Sequence, residues 1–62
     1  MLAISEVLLQ EHDIETFDAF LKIVRERAQA GEVFLQIDVK PPYGDTPEDW
    51  EERVEAAFYS TR

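Results

Sequence analysis

The chain has 62 residues, a formal charge of −8, one histidine and no cysteine. That length makes a single domain over residues 1–62, and folding buries only about 60% of the extended surface of so short a chain. Disulfides are excluded, structural zinc lacks its usual ligands, and an apolar content of 45% is too high for a disordered acidic tail.

Residues 2–9 are apolar on both faces of an extended chain, with Leu2, Ile4 and Leu8 on one and Ala3, Val7 and Leu9 on the other. A central strand shows this pattern. Ser5 ahead of Glu6-Val7-Leu8-Leu9-Gln10 also fits the cap of a short helix. The strand is the preferred reading of the two.

The spacing then predicts a helix over about 14–30. Ile14, Phe17, Leu21, Val24 and Ala28 form one stripe, widened by Phe20 and Ile23. Asp13 or Thr16 can cap it. Acids gather at its start and Lys22, Arg25 and Arg27 come later, the order the helix dipole favours. Asp18 and Lys22 have the spacing of an ion pair. Gly31 is placed to take a left-handed conformation and end the helix.

From Glu32 to Lys40 the pattern alternates. Val33, Leu35, Ile37 and Val39 share one face and Phe34, Gln36, Asp38 and Lys40 the other, which predicts a half-buried strand. Pro41-Pro42-Tyr43-Gly44-Asp45 ends it. The Pro41-Pro42-Tyr43 run lacks the spacing of a proline-rich ligand and reads as a rigid connection with Tyr43 covering its underside. Thr46-Pro47-Glu48-Asp49 reads as a cap, a first helical proline and two acids at the positive end of a dipole. Trp50, Val54, Ala57 and Phe58 follow as an apolar stripe, so a helix is predicted over about 47–59.

The resulting fold is an α/β (or α+β) mini-domain in the order β-α-β-α, with two parallel strands joined by a right-handed crossover. Two strands are too few for a stable sheet. A homodimer is therefore expected to complete it, edge to edge or face to face, through Leu2, Ile4, Leu8 and Phe34, with Tyr43 and Tyr59 as further candidates.

Little in the sequence can carry catalysis. Ser5 and Ser60 lie near the chain ends, the two glycines both have structural places, and no nucleophile elbow or phosphate-binding loop occurs. His12, between Glu11 and Asp13, reads as a solvated loop histidine, since adjacent residues rarely ligate one ion together. No catalytic, cofactor-binding or metal-ligating residues are assigned, and the protein is not expected to be an enzyme. The chain has no basic cluster for nucleic acid or an anionic membrane and no apolar run that could span a bilayer, so cytoplasmic placement is expected.

One segment stands out. Asp45, Glu48, Asp49, Glu51, Glu52 and Glu55 place six carboxylates within eleven residues against the single guanidinium of Arg53, a net charge of −5. Helix-start acids account for Glu48 and Asp49, but Glu51, Glu52 and Glu55 repel one another at helical spacing. The alternative to a merely solvated face is a docking surface for a basic protein partner. The expected function is thus a small acidic protein-binding module, a regulator, inhibitor or adaptor. It would act by covering a basic or nucleic-acid-binding surface, with nucleic-acid mimicry as one form. A structural subunit of an oligomer, acting through its apolar surface, is the alternative.

Overall fold

A computed structural model of the chain describes residues 1–60. It is a small mixed α/β fold of five elements: β1 (Leu2–Ala3), α1 (Ile4–Gln10), α2 (Phe17–Gln29), β2 (Leu35–Gln36) and α3 (Trp50–Tyr59). The two strands pair in parallel, Leu2 opposite Leu35 and Ala3 opposite Gln36. Two helices, rather than the expected one, lie between the strands in sequence.

The first segment departs most from expectation. Only Leu2–Ala3 is strand, and the chain coils into α1 at Ile4. Ile4, Val7 and Leu8 stand at i, i+3 and i+4, a helical stripe; the first two are buried and Leu8 packs against the core. The apolar surplus that suggested two strand faces is one helix face plus Leu9, which is exposed. Ser5 is not the cap. That position is Ala3, whose side chain has no acceptor, and Asp38 reaches back from beyond β2 instead. Its Oδ1 accepts the Ser5 N–H at 3.2 Å and its Oδ2 the Ser5 hydroxyl at 2.5 Å.

Helix α2 starts at Phe17, three residues later than the apolar spacing suggests, because Thr16 is the cap: its Oγ1 accepts from Ala19 N at 3.2 Å. Ile14 packs on the core from the preceding loop. A carboxylate also reaches this helix end from far along the chain, as Asp45 Oδ1 accepts the Phe17 N–H at 2.7 Å. The C-terminus closes as anticipated. Gly31 has φ +115°, its N–H bonds to Ala28 O at 3.2 Å, and Glu32 N–H bonds to Arg27 O at 3.3 Å. This nested pair satisfies the Arg27 and Ala28 carbonyls and needs the left-handed region that glycine tolerates.

Strand β2 is far shorter than the alternating pattern over 32–40. A ladder can run only as long as its partner, and β1 offers two residues before the chain coils. Leu35 and Ile37 still pack inward, whereas Val33 and Val39 are exposed. The connection that follows folds back onto the core. Pro41 is fully buried, and Tyr43 lies against Phe20 with ring centroids 6.0 Å apart.

Thr46, expected as the cap of the last helix, serves this loop. Its Oγ1 accepts from Tyr43 N at 3.3 Å and donates to Pro41 O at 3.0 Å. Pro47 to Asp49 form a turn closed by Trp50 N–H to Pro47 O at 3.2 Å, so α3 begins at Trp50 rather than at residue 47.

Helices α2 and α3 pack on each other. Phe20, Val24, Val54 and Phe58 are fully buried at that contact's level of the core, together with Leu2, Ile4 and Val7 from the N-terminal elements. Burying each such side chain contributes about 1.5–3 kcal/mol. The accessible surface is 4041 Å², against about 4100 Å² for a compact monomer of this mass. A single copy therefore closes its own core.

Candidate protein-binding surface

The six acids of residues 45–55 divide into two groups. Asp45 is exposed but tied to the α2 N-terminus, so it acts on the fold rather than standing free on the acidic face. Asp49 holds Arg53: its Oδ1 accepts from Nε at 2.8 Å, one turn along. Glu48, in the turn before α3, and Glu51, Glu52 and Glu55, on the helix itself, are exposed and form no ion pair among the described residues. Burial of Val54, Ala57 and Phe58 against the core turns these glutamates outward.

Sequence reasoning treated Arg53 as an opposing charge. In the structure its guanidinium is held above its ordinary range, first by the hydrogen bond it donates to Asp49 and then by attraction to Asp49 and Asp18. Asp18, expected to pair with Lys22, instead adds to the field around Arg53, and no Asp18–Lys22 pair forms among the described residues. The α2–α3 packing that brings this first-turn acid of α2 to the α3 segment leaves no local signal in the sequence.

The residues proposed for self-association also divide. Leu2 and Ile4 are 2% and 1% exposed, inside the core of one copy, and Leu8 is largely covered. They are engaged in making β1 and α1 fit the fold, so they are not offered to a second copy. Phe34 is 69% exposed, and Leu9, which the sequence placed on a strand face, is 72% exposed. Met1 and Val33 are exposed near Phe34 in the chain fold, since Leu2 N–H bonds to Phe34 O at 2.7 Å and the Met1 ammonium lies 3.5 Å from Glu32. Tyr59 is half exposed, its ring edge-on to Phe58 at 5.1 Å.

Other candidates resolve simply. His12 is exposed in a turn, and its neighbour Glu11 lies 3.8 Å from Arg27. No group of three or more histidines and carboxylates that could hold a metal ion occurs among the described residues. Nor does any of their helices have the length and apolar character to cross a membrane. The Tyr43 hydroxyl is pushed up from its ordinary value by burial, and the Asp38 carboxyl is pulled down, mainly by the Ser5 hydroxyl.

With the fold and these surfaces in view, the chain was compared with protein-family models, curated proteins and solved structures. None of them matches it.

Proposed function

We propose that the protein is a small acidic binding module that covers a basic surface on a larger protein, in the manner of a regulator or inhibitor. The observation that carries this reading is the division of the acidic segment. Two carboxylates have internal tasks, while Glu48, Glu51, Glu52 and Glu55 stand exposed on a buried-backed helix and its leading turn. A row of fixed charges of one sign attracts an oppositely charged cleft at long range and speeds encounter. Its spacing of roughly 5–6 Å between helical neighbours suits a cleft that otherwise holds phosphates, which is the mimicry form of the proposal.

Reversal of Glu48, Glu51, Glu52 and Glu55 to lysine tests this reading, with Asp45 and Asp49 left intact because they serve the fold. Capture of a nucleic-acid-binding protein from the native host should be lost in the reversed variant. In the native chain it should weaken between about 50 and 300 mM salt, as phosphate-like contacts do. Capture that survives reversal and ignores salt overturns the proposal.

A second reading, a structural subunit of an assembly, draws on the exposed apolar residues Leu9, Val33 and Phe34. Their replacement by polar residues would then dissolve the assembly while the four glutamates proved replaceable. Self-association as a homodimer belongs to both readings.

A further inference from the structure

The two-stranded sheet leaves the outer edge of β2 open. Because Leu2 N–H bonds to Phe34 O and Leu2 stands opposite Leu35, the Leu35 N–H and C=O turn away from β1. The period of two extends the same orientation to Val33 and Ile37. Such an edge is a template for another strand.

The sequence along this edge, Glu32-Val33-Phe34-Leu35-Gln36-Ile37-Asp38-Val39-Lys40, complements its own reverse about Gln36. Leu35 then faces Ile37, Val33 faces Val39, and Glu32 faces Lys40. We propose that the β2 edge binds a second copy of this chain, antiparallel, with the two-fold axis through Gln36. The proposal rests on the self-association part of the reading above and not on the acidic face.

In this register Leu35 exchanges both backbone hydrogen bonds with the partner's Ile37, and Ile37 with the partner's Leu35. Val33 and Val39, 54% and 39% exposed in one copy, meet across the seam and extend the inward stripe of Leu35 and Ile37. The Glu32 carboxylate, which holds the Met1 ammonium within its own copy, lies opposite the partner's Lys40 at the rim. Neighbouring registers fare worse. Moving the axis to Leu35 sets Glu32 against the partner's Asp38, a like-charge pair that opposes sheet pairing. Moving it to Ile37 sets Val33 against the partner's Pro41, which is buried in its own core and has no N–H to offer. The chain bends at Val39, so pairing is firmest from Leu35 to Ile37.

Each copy carries −8, so net repulsion opposes the approach and the dimer is a weak one that tightens as salt screens the charges. Salt therefore acts on this contact and on capture of a basic partner in opposite directions, which keeps the two proposals separable.

Gln36→Cys tests the register in a chain that has no cysteine of its own. Gln36 is exposed and would form a non-hydrogen-bonded pair at the axis, with Cα atoms about 4.5 Å apart, within disulfide range. Phe34→Cys is the control, since Phe34 faces the partner's Asp38 and the two copies of Phe34 lie more than about 12 Å apart. In a glutathione redox buffer the Gln36→Cys chain should become a covalent dimer faster than the control by roughly tenfold or more. As a second measurement, Glu32→Lys should weaken the reversible dimer seen by sedimentation, and Glu32→Lys with Lys40→Glu should restore it. Equal cross-linking of the two cysteine variants, or a charge swap without rescue, overturns the register. A single monomeric species at millimolar concentration overturns the dimer, and none of these results bears on the acidic face.

Discussion

Asp38 lies 33 residues beyond Ser5 yet supplies the acceptors at the start of α1, one oxygen to the Ser5 N–H and the other to its hydroxyl. Asp45 does the same for α2, 28 residues beyond Phe17. Both helices thus take acceptors from carboxylates that follow β2 in the chain. Helix ends have backbone donors without intrahelical partners, and an anion there also meets the positive end of the dipole.

Asp38→Ala should lower the urea midpoint without changing the folded structure, because Ala3 cannot substitute as a cap. The loss should depend on pH. The folded carboxyl titrates below its ordinary value of 3.8, so its contribution is fully present above that value and fades as pH falls through the lowered one. Urea midpoints of the native and Asp38→Ala chains should therefore differ at pH 6 and converge in strong acid. A difference that grew on acidification would contradict the capping role.

Asp45→Ala should cost about 1 kcal/mol, the usual effect of losing a capping acceptor, read from urea unfolding. Thr16→Ala removes the neighbouring acceptor, which takes the Ala19 N–H. Because the two serve one helix end, the double variant should depart from the sum of the singles. Strict additivity would mean that they act independently.

Gly31→Ala and Gly44→Ala should differ in sign. Neither position has an atom within 4 Å of an added Cβ, but Gly31 sits at φ +115° and Gly44 does not adopt such a φ. The first substitution should destabilise by about 1–2 kcal/mol. The second should be neutral or stabilise by up to about 1 kcal/mol through the unfolded chain. Thermal unfolding of the pair decides it.

Phe58→Ala should leave little folded protein. Truncating a buried phenylalanine costs about 3–5 kcal/mol, and a chain of this length has roughly 3–9 kcal/mol in all. Phe58 is fully buried. Loss of dispersed amide signals in a proton–nitrogen spectrum would report it, while Leu9→Gln, at an exposed position, should keep the native spectrum.

What the sequence determined by itself was whatever depends on neighbours a few residues apart. The α2 stripe, a cap at either Asp13 or Thr16, the Gly31 stop and the outward row Glu51, Glu52 and Glu55 opposite Val54 and Phe58 all follow from the 3.6-residue period and local hydrogen bonding. Tertiary structure decided the rest. Ile4, Val7 and Leu8 fit either element and the local pattern favours a strand, yet the choice falls to the helix whose first turn Asp38 caps from across the fold. The alternation over residues 32–40 promised a long strand, but β1 offers only two residues to pair with. Thr46 had the credentials of a cap and was taken by Pro41 and Tyr43. Asp45, read as part of a binding face, was drawn to Phe17. Thr46 was claimed by partners three and five residues away, but in the other cases a partner distant in sequence outbid the local pattern, because hydrogen-bonding groups are satisfied by whatever the packed core brings within reach.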